Sequence, residues 1–186
     1  MNQQGPKIMP SRLIIVSNRI PMGDQSSGGL VVALHDALAN SGGCWIGAHP
    51  DPGTGDEALE EIEGGPYRRL AFRLTEQEIE NYYLGFANSV LWPLCHRRTD
   101  LVRIRPVYER AYSAVNARVA RMVAQVADPE DIIWVHDYHF LSLARELRAT
   151  GLNNRIGFFL HVPFPALGDL SVLPQPETFA DDLAHY

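Results

Sequence analysis

The sequence predicts an α/β fold with a doubly wound, mostly parallel, Rossmann-like sheet. Short apolar runs rich in β-branched residues alternate with longer segments whose apolar residues recur at helical spacing. The short runs are continuously apolar, which is typical of parallel strands buried on both faces. Two of these runs are followed closely by polar residues, Asp137 and His161. Because parallel strands open their carboxyl ends onto one edge of a sheet, the pattern predicts a ligand site there.

Composition indicates one globular domain and excludes several classes of protein. The 186 residues are 46% hydrophobic and 20% charged, which is enough for one domain with a sizeable core. A net charge of −6 argues against binding to nucleic acid. The sequence shows neither a membrane-spanning apolar run nor a signal-peptide core, so we expect a cytoplasmic protein without a membrane partner. Cys44 and Cys95 form no Cys-x-x-Cys pair and are expected to be buried free thiols.

The elements in the first part of the domain follow from turn residues and periodicity. Residues 1–10 are predicted to form a flexible tail ahead of a domain that covers 11–186. A Gly- and Ser-rich loop separates the first strand from the first helix. An acidic segment, expected to be a helix or a loop, separates two later strands. The predicted bounds are a strand over 13–16, a helix over 30–38, and strands over 44–47 and 67–74.

Helices dominate the middle of the chain. Thr75 followed by Glu78 has the pattern of a capping box, which predicts a helix over 75–86. Pro93 is expected to interrupt that helix. Apolar residues then recur every three or four positions and predict one long helix over 107–126.

A strand–helix–strand unit follows and brings two polar residues together. Strands are predicted over 132–135 and 156–160, joined by a helix over 140–149. Right-handed crossover connections keep two such strands parallel. Asp137 and His161 are therefore expected to lie side by side.

The histidines around Asp137 leave three interpretations open. His136, His139 and His161 could join Asp137 as metal ligands, as a general acid and base, or as hydrogen-bond partners for sugar hydroxyls. A metal is the least favoured, because nothing resembles a His-Glu-x-x-His motif and no acid is placed to orient a ligand. The ordinary explanation for His136 and His139 is that they are core histidines bonded to backbone groups.

Arg19 is a candidate ligand for an anion. It ends the first strand just before a Gly-containing loop and a helix N-terminus, where backbone N–H groups and the helix dipole favour phosphate. A guanidinium also matches two phosphate oxygens at once. The glycines fit neither a dinucleotide-binding pattern nor a P-loop, so a surface arginine on a flexible turn explains the residue equally well.

Aromatic and basic residues around Trp92 have ordinary explanations as well. Tyr83 and Trp92 are most simply core residues, although either could form the wall of a sugar site. A basic cluster follows Trp92 and is expected to be a solvated face paired with acids. Its members are His96, Arg97, Arg98, Arg103 and Arg105.

Five segments in order resemble the N-terminal half of the trehalose-6-phosphate synthase family, whose members are retaining glycosyltransferases of the GT-B fold. The segments are Val16-Ser17-Asn18-Arg19, Gly28-Gly29-Leu30, Tyr82-Tyr83 with Asn88-Ser89-Val90-Leu91-Trp92-Pro93, His136-Asp137-Tyr138-His139, and Asn154-Arg155-Ile156-Gly157-Phe158-Phe159-Leu160-His161. The resemblance implies the N-terminal domain of a GT-B enzyme that transfers glucose from UDP-glucose to glucose 6-phosphate. The products would be trehalose 6-phosphate and UDP, and the resemblance implies no cofactor and no metal.

The resemblance also implies roles on the acceptor side. Arg19 and Tyr83 would hold the phosphate of glucose 6-phosphate. Trp92 would pack on the sugar, and Asp137 would accept hydrogen bonds from its hydroxyls. In this family the departing diphosphate helps to deprotonate the acceptor, so protein groups position the substrates and stabilise charge. Asp137 is not expected to be a nucleophile.

The resemblance implies roles for two residues on the donor side. Gly29 would let the loop approach the diphosphate of UDP-glucose. His161 would face the donor glucose near the point of transfer. His161 and Asp137 are thus the candidate catalytic residues.

Two departures from the family pattern modify these expectations. The family has Trp-x-Gly-Trp where this chain has Trp45-Ile46-Gly47-Ala48, so an aromatic residue expected at the acceptor site is missing. The sequence also stops at Tyr186 within a helical pattern, which predicts a truncated chain without the C-terminal donor domain. We expect this half alone to be inactive unless a second chain supplies that domain. The alternatives are a non-catalytic sugar-phosphate-binding or regulatory module and an inactive remnant.

Overall fold

The computed structural model describes residues 11–22 and 29–186. The predicted tail over 1–10 and most of the Gly- and Ser-rich loop lie outside the described residues. The strands are β1 (Leu13–Arg19), β2 (Gly43–Ala48), β3 (Glu60–Ile62), β4 (Arg68–Phe72), β5 (Ile132–His136) and β6 (Arg155–Phe159). They form one sheet in the order β3-β4-β2-β1-β5-β6. All neighbours are parallel except β3, which runs antiparallel to β4, so the predicted mostly parallel sheet is confirmed.

Helical segments connect the strands. The helices are α1 (Gly29–Ser41), α2 (Glu76–Glu78), α3 (Trp92–Cys95), α4 (Pro106–Ala124), α5 (Leu143–Ala149) and α6 (Pro176–Leu183). A π-helix (Ile79–Leu91) joins α2 to α3, and the described part of the chain has 3₁₀ turns at Thr99–Leu101, Tyr138–Phe140 and Asp169–Val172. Among the described residues, none of these helices is long and apolar enough to cross a membrane.

Alternate residues of the central strands enter two cores, one on each face of the sheet. Ile15 of β1 packs with α1 through Leu34 and Leu38. Ile14 and Val16, on the opposite face of β1, belong to the larger core with the π-helix, α4 and α5. Full burial of one such side chain contributes about 1.5–3 kcal/mol to the free energy of unfolding. Burial on both faces explains why the central strands are continuously apolar, and it confirms the doubly wound arrangement. Cys44 and Cys95 are buried and free, as expected.

The predicted interruption at Pro93 is wrong. The chain stays helical from Glu76 to Cys95, and Pro93 lies within α3. The N–H of Trp92 donates to the carbonyl of Ala87, five residues earlier, which is the π-helical pattern. Pro93 cannot donate to the carbonyl of Ser89, and that carbonyl instead accepts from the N–H of Arg103 at 2.9 Å. The carbonyl four residues before Pro93 thus has a partner from outside the helix, and Pro93 itself lies in the first turn of α3, where proline is tolerated.

Two other elements differ from the prediction. The acidic segment contains β3, whose Glu61 forms an ion pair with Arg68 of β4 at 3.1 Å. The pair lies on an exposed sheet edge, where charged side chains are common. The helix predicted over 140–149 begins only at Leu143, because the preceding residues form the 3₁₀ turn Tyr138–Phe140, capped by Asp137.

Candidate functional site

Arg19, Asp137 and His161 lie where strands of the sheet reach their carboxyl ends. Arg19 is the last residue of β1, Asp137 directly follows β5, and His161 follows β6 by two positions. The N–H of Asp137 donates to the carbonyl of Phe159 at 2.8 Å and ties the ends of β5 and β6 together. The three residues therefore share one edge of the sheet, as the parallel strand order predicts.

A β-bulge at the end of β1 sets the direction of Arg19. β1 pairs with β2 regularly up to Ser17 opposite Gly47, and the register then shifts so that Arg19 pairs with Ala48. A bulge re-aims the side chain beside it. Gly47 permits this backbone, because a Cβ there would lie 2.8 Å from the carbonyl carbon of Arg19.

Arg19 and Tyr83 meet on the wall of an open cleft of about 300 Å³. Nη2 of Arg19 donates to the phenol oxygen of Tyr83 at 2.9 Å, and the guanidinium carbon lies 5.7 Å from the centre of the tyrosine ring. Among the described residues Arg19 forms no ion pair, so its charge is available to an anion. The apolar part of the wall consists of Ile20, Met22, Ala48, Pro50, Leu74 and Ile79.

His49 lines the same cleft and was missed by the sequence reasoning. It directly follows β2, so the rule about strand ends that located Asp137 would have found it as well. Nδ1 of His49 accepts from the N–H of Asp51 at 3.0 Å. The neighbouring Ala48 also lies on the cleft wall. It stands where the family pattern has a tryptophan, so this wall lacks the aromatic side chain that the pattern predicts.

A buried aromatic layer supports Tyr83 from behind. The ring of His139 stacks on Tyr83 with centroids 5.7 Å apart and on Tyr138 at 4.2 Å. Burial lowers the pKa of His139 to about 3, with a further contribution from the charge of Arg19. Neither ring nitrogen of His139 has a hydrogen-bond partner among the described residues. The expectation that backbone groups satisfy this histidine is therefore wrong, since stacking holds the ring in place.

Asp137 has an unusual backbone conformation, and one of its two carboxylate oxygens accepts hydrogen bonds from the backbone. Its φ of 73° and ψ of 167° lie in a region that is essentially restricted to glycine. Oδ1 accepts from the N–H of Tyr138 at 3.1 Å and from the N–H of His161 at 3.4 Å. Burial raises the pKa of the Asp137 carboxyl, and the two backbone bonds act in the opposite direction. The second oxygen, Oδ2, is the one left to accept from a ligand.

His161 is exposed and bonded to a buried neighbour. Nε2 of His161 lies 3.0 Å from Nδ1 of His136, and the two rings stack with centroids 5.3 Å apart. Burial, together with the nearby His161, lowers the pKa of His136 to about 4. His136 is thus bonded to a side chain, and the expectation of a backbone partner is wrong.

Trp92 and Gly29 lie apart from these pairs. Trp92 is 41% exposed and stacks on His96, with ring centroids 4.1 Å apart. Gly29 is the first residue of α1, and the loop that would approach a diphosphate lies outside the described residues. Of the residues predicted for the site, the structure brings Arg19 into contact with Tyr83, and Asp137 into contact with His161.

Two members of the basic cluster after Trp92 form the expected ion pairs with acids, whereas Arg103 donates to backbone carbonyls and Arg105 to the phenol oxygen of Tyr108. Arg97 lies 3.5 Å from Asp169, and Arg98 lies 2.8 Å from Asp100. As for metal ligands, the described ranges 11–22 and 29–186 hold no group of three or more His, Cys, Asp or Glu side chains arranged around a common point.

The model of glycosyltransferase family 20 matches residues 11–184, nearly the whole chain. The chain belongs to this family. Trehalose-6-phosphate synthase of Escherichia coli (strain K12) is 44% identical over 180 residues, which are 95% of this family 20 chain and 38% of the relative. The chain therefore spans well under half the length of the curated relatives that it matches.

Two solved structures of similar proteins contain ligands. An α,α-trehalose-phosphate synthase (UDP-forming) from Burkholderia xenovorans in complex with glucose-6-phosphate is 40% identical, with a TM-score of 0.86. It is matched over 95% of this family 20 chain and 39% of its own. A structure from E. coli bound with UDP-2-fluoro glucose is 43% identical, with a TM-score of 0.88 over 95% of this chain and 38% of its own. In both, the match covers the GT-B N-terminal part.

Proposed function

We propose that this chain is the acceptor-side unit of a trehalose-6-phosphate synthase and binds glucose 6-phosphate. The observation that carries the proposal is the guanidinium of Arg19, which forms no ion pair among the described residues and donates to Tyr83 on the wall of the cleft. The bound glucose 6-phosphate of the Burkholderia xenovorans relative supports the choice of ligand. The reaction is transfer of glucose from UDP-glucose with retention, giving trehalose 6-phosphate and UDP.

The phosphate of the acceptor lies against Arg19 and Tyr83. A guanidinium donates two parallel hydrogen bonds to phosphate oxygens, and the phenol O–H donates a third. The bond from Arg19 Nη2 to the Tyr83 oxygen fixes both side chains before the ligand arrives, which lowers the entropy lost on binding. A phosphate bound there would neutralise a positive charge that otherwise has no partner among the described residues.

The sugar hydroxyls lie toward Asp137 and His161. Asp137 Oδ2 accepts from a hydroxyl of the acceptor, because Oδ1 is already bonded to two backbone N–H groups. His161 faces the donor glucose, and Gly29 lets the loop before α1 approach the donor diphosphate. Trp92, exposed on α3, packs on the acceptor once the ligand is present. These residues position the two sugars, while the departing diphosphate takes part in deprotonating the acceptor.

The donor UDP-glucose needs groups beyond this chain. The relatives are more than twice as long, and we propose that their remaining length, or a second chain that carries it, supplies most contacts to the nucleotide. Loss of even one group that stabilises charge in a transition state typically lowers a rate by about 10²–10³. The 186 residues alone are therefore expected to bind the acceptor with little or no turnover. We also propose a cytoplasmic location, where nucleotide sugars are made.

Calorimetric titration of the folded chain with glucose 6-phosphate tests the proposal, with glucose as the ligand control. We expect saturable heat that depends on the phosphate. Arg19→Ala should remove the preference for glucose 6-phosphate over glucose, a loss of roughly 1.5–3 kcal/mol for a charged hydrogen bond. Arg155→Ala is the matched control, since Arg155 is exposed at the amino end of β6, on the opposite edge of the sheet.

The outcome also separates the alternatives. Equal heats for the two sugars in the unchanged chain would contradict the phosphate site. A second experiment adds UDP-glucose and the remaining part of a relative to the chain. Binding of glucose 6-phosphate without turnover in that mixture would favour a sugar-phosphate-binding module over an enzyme. No heat from a folded chain would favour an inactive remnant.

A further inference from the structure

His136 is a buried histidine to which the proposed function assigns no role. It ends β5 and is 1% exposed. Its ring packs on Trp134, with centroids 4.6 Å apart, and lies 6.4 Å from Phe159. Its one polar contact in the described part of the chain is from Nδ1 to Nε2 of His161, at 3.0 Å.

The position of the proton between these two rings follows from the other nitrogen of His136. A neutral imidazole has one N–H and one lone pair, so the contact needs a donor on one side and an acceptor on the other. Nε2 of His136 is buried and has no partner among the described residues. A proton on Nε2 would leave an orphaned buried N–H, which is rarer in proteins than an acceptor without a partner. The proton therefore lies on Nδ1 of His136, which donates to His161.

The apolar surroundings keep His136 from carrying two protons. Neither Trp134 nor Phe159 carries an acidic group that could pair with an imidazolium, and burial, together with the nearby His161, lowers the pKa of His136 to about 4. At neutral pH His136 is thus a neutral, fixed donor. Nε2 of His161 must then be an acceptor, and the proton of the neutral His161 ring must lie on Nδ1.

We propose that His136 is a positioning residue that locks His161 in the Nδ1–H tautomer. Since His136 occupies Nε2 of His161, Nδ1 is the nitrogen that the exposed ring offers to a ligand. It is a hydrogen-bond donor. The adjacent Asp137 offers only an acceptor, Oδ2. The edge of the sheet thus presents one fixed donor beside one fixed acceptor, a combination that matches hydroxyl groups, which both accept and donate. The identity of the ligand as a sugar rests on the proposed function, whereas the tautomer does not.

Nitrogen NMR of the histidine rings in the complete, ¹⁵N-labelled chain tests this inference without any ligand. At about pH 8, where ordinary histidines are neutral, the ring ¹⁵N shifts and the couplings to ring protons tell which nitrogen carries the proton. We expect His136 and His161 both to be Nδ1–H tautomers. The Nε2–H form at His161, which free histidine favours in water, would overturn the inference.

A pair of variants separates positioning from structural support. His136→Phe keeps an aromatic ring against Trp134 and removes the donor, so His161 should lose its single tautomer and shift toward Nε2–H. His136→Asn places an amide N–H near the position of Nδ1 and should restore the Nδ1–H form of His161. An unchanged His161 tautomer in His136→Phe would contradict the proposal. Should this variant fail to fold, the tautomer in the unchanged chain decides the question.

The two proposals fail in different ways. Absence of phosphate-dependent heat, with both histidines in the Nδ1–H form, would overturn the acceptor site and leave the role of His136 intact. Saturable heat from glucose 6-phosphate, with His161 in the Nε2–H form, would do the reverse.

Discussion

At the scale of single residues, Asp137 is both a proposed sugar-binding residue and a residue with a strained backbone. A non-glycine residue in its φ/ψ region costs about 1–3 kcal/mol. Part of this cost is offset, because the carboxylate accepts from two backbone N–H groups. These two bonds, together with the bond from the N–H of Asp137 to the carbonyl of Phe159, hold the strained residue beside His161 at the edge of the sheet. The sequence placed both residues at strand ends, but it held no sign of the strained backbone, which depends on how β5 meets the following turn.

Replacement of Asp137 by glycine and by alanine separates strain from binding. Asp137→Gly relieves the backbone, whereas Asp137→Ala keeps the strain and loses the same carboxylate. We expect the glycine variant to be more stable than the alanine variant by about 1–3 kcal/mol in chemical denaturation. Both should bind glucose 6-phosphate more weakly than the unchanged chain. Equal stability of the two variants would show that the backbone at this position is not strained.

At the scale of elements, the helical segment that carries Tyr83 is anchored at its start by a local capping box and by a side chain of α4. The predicted capping box is confirmed at the start, where the N–H of Glu78 donates to Thr75 and Glu78 accepts from the N–H of Thr75. Arg118 of α4 donates to the same carboxylate at 2.8 Å. The capping box was predictable because it lies within four residues of chain. The bond to Arg118 was not, since it depends on packing against α4, and no local sequence pattern predicted the π-helix that follows α2.

Loss of the cap at Thr75 should destabilise this helical segment. Thr75→Ala removes the acceptor for the N–H of Glu78, and we expect the free energy of unfolding to fall by about 1 kcal/mol. Thr99→Ala is the matched control, since it removes the same atoms from the short turn Thr99–Leu101. Urea denaturation of the three chains measures the difference. A fall of the same size in both variants would indicate that the cap contributes nothing of its own.

At the scale of the whole molecule, two buried histidines couple stability to pH. His136 and His139 lie beneath the edge of the sheet, and burial lowers their pKa values to about 4 and about 3. In the unfolded chain both return to about 6.5. Below that pH the unfolded state binds protons that the folded state does not, so stability falls as the pH falls. The aromatic layer that orders the site thus makes the fold sensitive to acid.

This coupling predicts a loss of stability between neutral and mildly acidic pH. From pH 7.5 to pH 5 each histidine should lower the free energy of unfolding by about 2 kcal/mol, with a slope that approaches about 1.4 kcal/mol per unit of pH below 6.5. His139→Phe retains a ring between the two tyrosines and should remove roughly half of the pH dependence. His185→Gln removes an exposed histidine instead and serves as the control. Urea denaturation at pH 7.5 and pH 5 compares them, and an unchanged slope in His139→Phe would contradict the assignment.

The sequence by itself determined the features that depend on residues near one another in the chain. The apolar runs specify strands buried on both faces, Thr75 and Glu78 specify a helix start, and the strand–helix–strand order places Asp137 beside His161. Only the tertiary structure decided the contacts between distant segments. These include the bond from Arg19 to Tyr83, the bond from the N–H of Arg103 to the carbonyl of Ser89, and the contact between His136 and His161. The physical reason is that periodicity records which side of an element is buried, whereas a side-chain partner is fixed by how the elements pack together.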